Sequence, residues 1–229
     1  LTHSLLHQEK RGLDPNPAVI ENIFILAVTA QDPDRDKRMR IISGSARGRK
    51  LADFAGRDIR PTPDRVREAV FSMLTSHFGT LCKLRVLELF AGSGALSLEA
   101  LSRGAQQAIL VDSGPQAAAL MLDNITRCQL QDKARILRQP AQDALPLLEK
   151  DAPFDLIFMD PPYQQGLIPP LLQQIATLQL LSQHGIIVAE TAAKEDIDLP
   201  TSLNCYEKRR YGSTQIHLIT HASATKERA

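Results

Sequence analysis

Between residues 85 and 190 the chain alternates short apolar runs with longer amphipathic stretches, and no other feature limits its possible folds as strongly. Runs that short read as strands, and stretches whose apolar residues recur three and four positions apart read as helices. A parallel sheet absorbs such a pattern, because each crossover between parallel strands is a helix lying on one face or the other. The expected strands are Arg85 to Leu89, Ala108 to Asp112, Ala134 to Leu137, Phe154 to Asp160 and Gly185 to Glu190. The expected helices are Gly94 to Arg103, Pro115 to Cys128, Ala141 to Lys150 and Leu167 to Leu181. Cys205 to Arg210 and Thr214 to Thr220, separated by Tyr211-Gly212-Ser213, read as a closing antiparallel hairpin. The fold class is therefore α/β. With 229 residues, 43% of them hydrophobic, the chain has material for one substantial core and no room for a second catalytic domain.

Upstream, Arg40-Ile41-Ile42-Ser43-Gly44 and Arg47-Gly48-Arg49-Lys50-Leu51 suggest a small hairpin. Thr62-Pro63-Asp64 has the chemistry of a helix start, and Val66, Ala69, Val70, Met73 and Leu74 carry that helix to about Ser76. Residues 1 to 38 differ in character, and their apolar run from Ile23 to Val28 is too short to span a bilayer. Glu21 and Asn22 interrupt a faint likeness to a secretory signal, so the segment reads as a weakly ordered extension or as sequence upstream of the natural start. The expected organisation is an extension over 1–38, a basic hairpin and helix over 39–80, the catalytic domain over 81–221 and a tail over 222–229.

The net charge of +1 conceals an uneven distribution. Residues 35 to 67 hold eleven Lys or Arg against four acids, a balance of +7, so the other 16 basic and 22 acidic residues leave −6. Positive charge gathered in one segment suits a polyanion, whose condensed counterions are released on binding, although a solvated basic surface has the same composition. Arg40, Arg47, Arg49, Lys50, Arg65 and Arg67 are the candidate phosphate contacts. Cys82, Cys128 and Cys205 are odd in number and widely spaced, which reads as reduced, cytosolic and structural, and the six histidines show no ligand spacing, so no metal is expected.

Val86 to Gly94 runs from a buried strand through a glycine turn into a helix, which exposes the helix N-terminal amides. A dinucleotide fingerprint would place a third glycine where Ser97 stands, and this departure speaks against a bound diphosphate. Asp112, ending the next strand about twenty residues on, suits a carboxylate that accepts from ribose hydroxyls, its alternative being a turn acid. A glycine turn without the diphosphate fingerprint, joined to a ribose acid, fits a nucleoside without phosphates, and S-adenosylmethionine is such a ligand. Glu88 stands near that ligand's ammonium or, equally, pairs with a core arginine.

Asp160-Pro161-Pro162-Tyr163 follows a strand at the end where open α/β sheets bind ligands. Two prolines remove two amide donors, so the loop offers acceptors: the Asp160 carboxylate and the carbonyls of Asp160, Pro161 and Pro162. Acceptors are what a base amino group needs when its nitrogen attacks a methyl donor, since its lone pair must be drawn out of the ring and its N–H groups held. Tyr163 can stack on the base and set its distance. The alternative is a rigid turn.

On these residues the segment from Met39 to about Thr220 resembles the bacterial 16S ribosomal RNA guanine-N2 methyltransferases of the RsmD type. The resemblance is carried by Met39 to Gly44, Arg60 to Glu68, Leu89 to Leu96, Ser102 to Ala105, and Asp160 to Tyr163, five motifs in order. It implies a seven-stranded, Rossmann-like class I methyltransferase sheet with a small N-terminal extension, S-adenosylmethionine as cofactor, a cytoplasmic location, and 16S ribosomal RNA in a small-subunit assembly particle as substrate. It further implies a cofactor site formed by Arg60, Thr62, Glu88, Phe90, Ala91, Gly92, Ser93, Gly94 and Asp112. Family members commonly carry acids where this chain has Gly114 and Pro140, so Gln142 or Asp143 is the expected substitute near the adenine. The competing readings are a DNA adenine-N6 methyltransferase, for which the chain lacks a large recognition region, a silent RNA-binding assembly factor, and a nicotinamide oxidoreductase, against which Ser97 stands.

Overall fold

The computed structural model describes residues 39–53 and 64–223. In chain order the elements are α1 (Asp64–Phe78), β1 (Arg85–Leu89), α2 (Ala95–Ser102), β2 (Gln107–Val111), α3 (Pro115–Cys128), β3 (Ala134–Leu137) and α4 (Ala141–Leu147). A 3-10 turn (Glu149–Asp151) leads to β4 (Phe154–Met159), α5 (Ile168–Thr177), β5 (Leu181–Ala192), β6 (Leu203–Tyr211) and β7 (Thr214–His221). The seven strands form one sheet in the order β3-β2-β1-β4-β5-β7-β6. The first five are parallel, and β7 and β6 run antiparallel. This is the seven-stranded class I methyltransferase sheet expected above. Its strand order reverses between β1 and β4, which opens a crevice beyond their C-terminal ends.

Strand alternation sorts the core into two layers. Val86, Leu110, Phe158, Val188 and Leu218 point to the face covered by α1, α2 and α3, where Phe71, Leu98 and Met121 meet them. Leu87, Ile109, Ile157, Ile187 and Ile219 point to the face covered by α4 and α5, against Leu145, Leu172 and Ile175. Both faces are apolar because helices cover both, which is why these strands read as continuous apolar runs.

The expected N-terminal hairpin is slighter than its sequence suggests: a single antiparallel bridge joins Arg40 to Lys50, supported by amide bonds from Ile41 to Arg49 and from Leu51 to Met39. It is fastened mainly from outside. The buried Glu99 carboxylate accepts the amides of Ile42 and Ser43 at 2.7 and 3.0 Å, and Ser102 receives those of Ser45 and Ala46 through its carbonyl and hydroxyl. Met39, Ile41 and Leu51 are buried in the same layer as α1 and α2.

Two expected boundaries change. The helix expected over Ala141–Lys150 stops at Leu147, just after Pro146, and continues only as the 3-10 turn. The helix expected to reach Leu181 ends at Thr177, and β5 begins at Leu181 rather than Gly185. Leu180 and Leu181 are apolar because the Phe154 amide donates to the Leu180 carbonyl and Leu181 pairs with Phe154 across the sheet, both positions lying in the core. Among the described residues no helix is long and apolar enough to cross a membrane.

Candidate active site

The pairing of β1 with β4 sets Glu88 opposite Phe158 and Leu89 opposite Met159, so the turn after β1 and the loop after β4 emerge side by side. Phe90 (φ 59°), Gly92 (φ 53°) and Gly94 (φ 75°) make the turn from β1 into α2. Gly94 suits only glycine well because a φ of 75° is a backbone conformation that side chains rarely adopt, and a Cβ there would also press on the Leu110 side chain at 2.5 Å. The carbonyl of Ser93 accepts from Asn124 Nδ2 at 3.0 Å, and the same buried side chain grips both backbone groups of Ala52. One asparagine of α3 thus ties the turn to the N-terminal segment.

Asp112, just past β2, joins the turns that follow β1 and β2. Its Oδ2 accepts the Gly92 amide at 2.9 Å and its Oδ1 the Gly114 amide at 2.8 Å. Each oxygen keeps a further lone-pair direction for a hydroxyl. Glu88, 4% exposed, accepts the Ser97 amide at 2.9 Å. A carboxyl therefore already occupies the positive end of α2, where a diphosphate would otherwise rest. Burial pushes the Glu88 carboxyl up to about 7, with the Ser97 hydrogen bonds pulling it back and Asp112 adding to the rise. Among the described residues Glu88 is held by a helix amide rather than by a core arginine.

Across the crevice, Asp160 follows β4. Burial first, then the charges of Glu190 and Glu88, hold its carboxyl well above the usual carboxylate range. Glu190, near the end of β5 and buried, stands one position past the pairing of Ala189 with Met159. By strand alternation Glu88, Asp160 and Glu190 share the α1 side of the sheet. Tyr163 is 42% exposed, and its hydroxyl donates to Glu190 Oε1 at 2.6 Å and lies 3.0 Å from Thr214 Oγ1. Burial and the Glu190 hydrogen bond raise that phenol above its ordinary range. A cavity of about 110 Å³ opens between residues 161–169 and 190–198, lined by Pro161, Pro162, Tyr163, Glu190 and Thr191 among others.

The structure thus brings Glu88, Phe90 to Gly94 and Asp112 together at one end of the crevice and Asp160 to Tyr163 at the other. Glu190 and Asn124 escaped sequence reasoning: a strand-end Glu and a helix Asn carry no motif, and only pairing partners give them meaning. The β5 boundary at Glu190 was the available signal. Arg60 and Thr62 lie outside the described residues, as do residues 1–38 and the tail from residue 224. Gln142 and Asp143 lie exposed in the first turn of α4, after the extended Pro140.

One expected phosphate contact is corrected. Arg67 is 1% exposed, donating to the Arg40 carbonyl at 2.6 Å and to Asp64 at 2.8 Å, so it braces α1 against the N-terminal segment instead of facing a polyanion. Arg49 is half-buried, its guanidinium donating to the Arg127 carbonyl and to Gln129 Oε1 where α3 ends. Arg47, Lys50, Arg65 and Arg40 are exposed, the last 3.8 Å from Asp64. Among the described residues no three His, Cys, Asp or Glu side chains gather as a metal group, and the three cysteines are unpaired with one another.

The model of the family described as Conserved hypothetical protein 95 matches residues 39–220. A Bacillus subtilis (strain 168) protein, YlbH, named as a candidate rRNA methyltransferase, is 38% identical over 182 residues, covering 78% of this chain and 96% of its own. The ribosomal RNA small subunit methyltransferase D of Escherichia coli (strain K12) is 30% identical over 182 residues, covering 79% of this chain and 89% of its own. The solved structure of the candidate methyltransferase yhhF from Escherichia coli superposes with a TM-score of 0.71 at 30% identity, covering 80% of this chain and 98% of that one.

Proposed function

This chain belongs to the conserved hypothetical protein 95 family, the RsmD-type methyltransferases its motifs resemble, and from that premise we propose that it is an S-adenosylmethionine-dependent ribosomal RNA methyltransferase. Its target is the exocyclic N2 amino group of a guanine in 16S ribosomal RNA, met in a small-subunit assembly particle in the cytoplasm. The observation that carries this reading is the acceptor-only loop Asp160-Pro161-Pro162 emerging beside a glycine turn whose helix end is already filled by Glu88.

The crevice fits a cationic nucleoside. Asp112 has lone pairs to spare for ribose hydroxyls, the turn from Phe90 through Ala91, Gly92 and Ser93 to Gly94 lets the ligand approach the backbone, and a cation draws the raised carboxyls of Glu88 and Asp160 back toward their ionised forms where a phosphate would raise them further. On the family resemblance alone, Arg60 and Thr62 are assigned to the methionine end of the cofactor. When bound, S-adenosylmethionine supplies the electrophilic methyl group.

The chain's own residues do the rest. Asp160 and the Pro161 carbonyl accept the two N–H bonds of the amino group, turning its lone pair out of conjugation and stabilising positive charge as it develops on nitrogen. Tyr163, its hydroxyl held by Glu190, presents a fixed ring face on which the base stacks. Asp160 is drawn to its ionised form beside a cationic ligand, and that buried carboxylate then takes the proton released from nitrogen. Amino nitrogen is itself the nucleophile, so no cysteine takes part. The target guanine must be unpaired or flipped out to reach the loop.

Labelled methyl transfer to small-subunit particles, naked ribosomal RNA and duplex DNA in parallel, followed by nucleoside identification, tests the reading. N2-methylguanosine from the ribosomal substrates, abolished by Asp160→Ala, is the expected result. N6-methyladenine from DNA would establish the competing activity instead, and cofactor binding without transfer to any substrate would favour a silent assembly factor.

A further inference from the structure

We propose that Glu190 is the residue that selects guanine, its carboxylate accepting the ring N1–H of the target base while Asp160 and Pro161 hold the neighbouring amino group. The inference rests on the methyl-transfer reading above and goes beyond it by naming what distinguishes one amino-bearing base from another.

Chemistry makes the choice sharp. Next to its amino group, guanine carries a second donor, N1–H, whereas adenine carries at the equivalent position an acceptor, its N1 lone pair. A loop of acceptors alone holds either amino group and cannot tell them apart. A second carboxylate beside the first can, because an ionised carboxylate only accepts. Against guanine it gains a charge-assisted hydrogen bond, and against adenine it meets a lone pair.

The structure supplies that second carboxylate in the right place. Glu190 lies one residue beyond the Ala189–Met159 pair, next to the strand that ends at Asp160, and on the same side of the sheet. The two carboxylates sense each other, the charge of Glu190 contributing to the raised Asp160 carboxyl. Glu190 is only 8% exposed, yet it lines a cavity with Pro161, Pro162 and Tyr163, the loop on which the reading above stacks the base. Tyr163 donates to its Oε1, which orients the carboxylate and couples the stacking ring to the reading group. A surface acid of loose rotamer would discriminate poorly; one held by a tyrosine at 2.6 Å is pre-oriented.

The test uses the full-length protein on small-subunit particles reconstituted with ribosomal RNA that carries either guanine or 2-aminopurine at the methylated position. The analogue keeps the amino group, replaces N1–H by a lone pair and lacks the C6 carbonyl, so the N1 contact is read from the change in preference between wild type and Glu190→Gln. Wild type should prefer guanine in kcat/KM on the order of a hundredfold, the scale of losing one hydrogen bond to a charged group. Glu190→Gln, whose amide can turn its NH2 toward that lone pair, should bring the preference to within a few fold by losing rate on guanine and gaining on the analogue. Tyr163→Phe, which keeps the stacking ring but releases the carboxylate, should lower the preference too, by less than Glu190→Gln does. Equal losses on both substrates in Glu190→Gln would overturn the proposal and reduce Glu190 to an anchor for Tyr163. Absence of wild-type transfer to the guanine-bearing particles would remove the methyl-transfer reading and this inference with it.

Discussion

Replacing Glu88 by Gln should abolish one identifiable part of the protein's pH-dependent stability. Glu88 is 4% exposed, and burial raises its carboxyl from an ordinary 4.5 to about 7. The folded state therefore binds this proton more tightly than the unfolded chain does, and stability contributed by the protonated form is lost as pH rises from 4.5 through 7. A shift of this size corresponds to about 3 kcal/mol, of which roughly 2–3 kcal/mol falls between pH 5 and pH 8. The amide of Gln keeps the shape and an oxygen for the Ser97 N–H, but it does not ionise. Urea unfolding of both proteins without cofactor, at steps between pH 5 and pH 8, gives the difference in stability at each pH, and titrations common to both proteins cancel. The variant should gain on wild type by roughly 2–3 kcal/mol across that window. Stability differences that stay constant with pH would refute the claim that Glu88 is the group held up by burial at the end of α2.

Gly44→Ala should lower the melting temperature by roughly 6–12 °C, a loss of about 3 kcal/mol, because φ is +85° and a Cβ would stand 1.8 Å from the Ser102 carbonyl oxygen. Gly48→Ala, also at positive φ but with nothing within 4 Å, should cost only about 1 kcal/mol, and equal melting shifts for the two would contradict the close approach of the N-terminal segment to α2. Replacing Arg47 and Lys50 together by Ser should reduce the slope of log affinity for ribosomal RNA against log salt by up to about 2, measured by filter binding, without altering the melting temperature. An unchanged slope would remove these two side chains from the phosphate contacts. Arg49 is left in place in that variant because it ties down the end of α3.

The parallel strands and the two motifs at their ends were legible in the residues because their physics is local. Arg85–Leu89, Ala134–Leu137 and Pro115–Cys128 fall where periodicity puts them, since an apolar run bounded by polar turns has few alternatives. Gly92, Gly94 and the paired prolines after Asp160 declare themselves through backbone chemistry that other residues do not provide. What lay beyond the sequence depends on partners distant along the chain. Arg67 looks like any exposed arginine of a basic segment until the Arg40 carbonyl and Asp64 surround it. Leu180 and Leu181 continue a helical pattern until strand pairing with Phe154 claims them. Glu88 acquires its raised carboxyl, and Glu190 its place beside Asp160 and Tyr163, only once the sheet order brings β1, β4 and β5 together. Periodicity and turn chemistry act over a few residues and so are written in order along the chain, whereas burial and charge coupling act through space and arise only when the sheet is assembled.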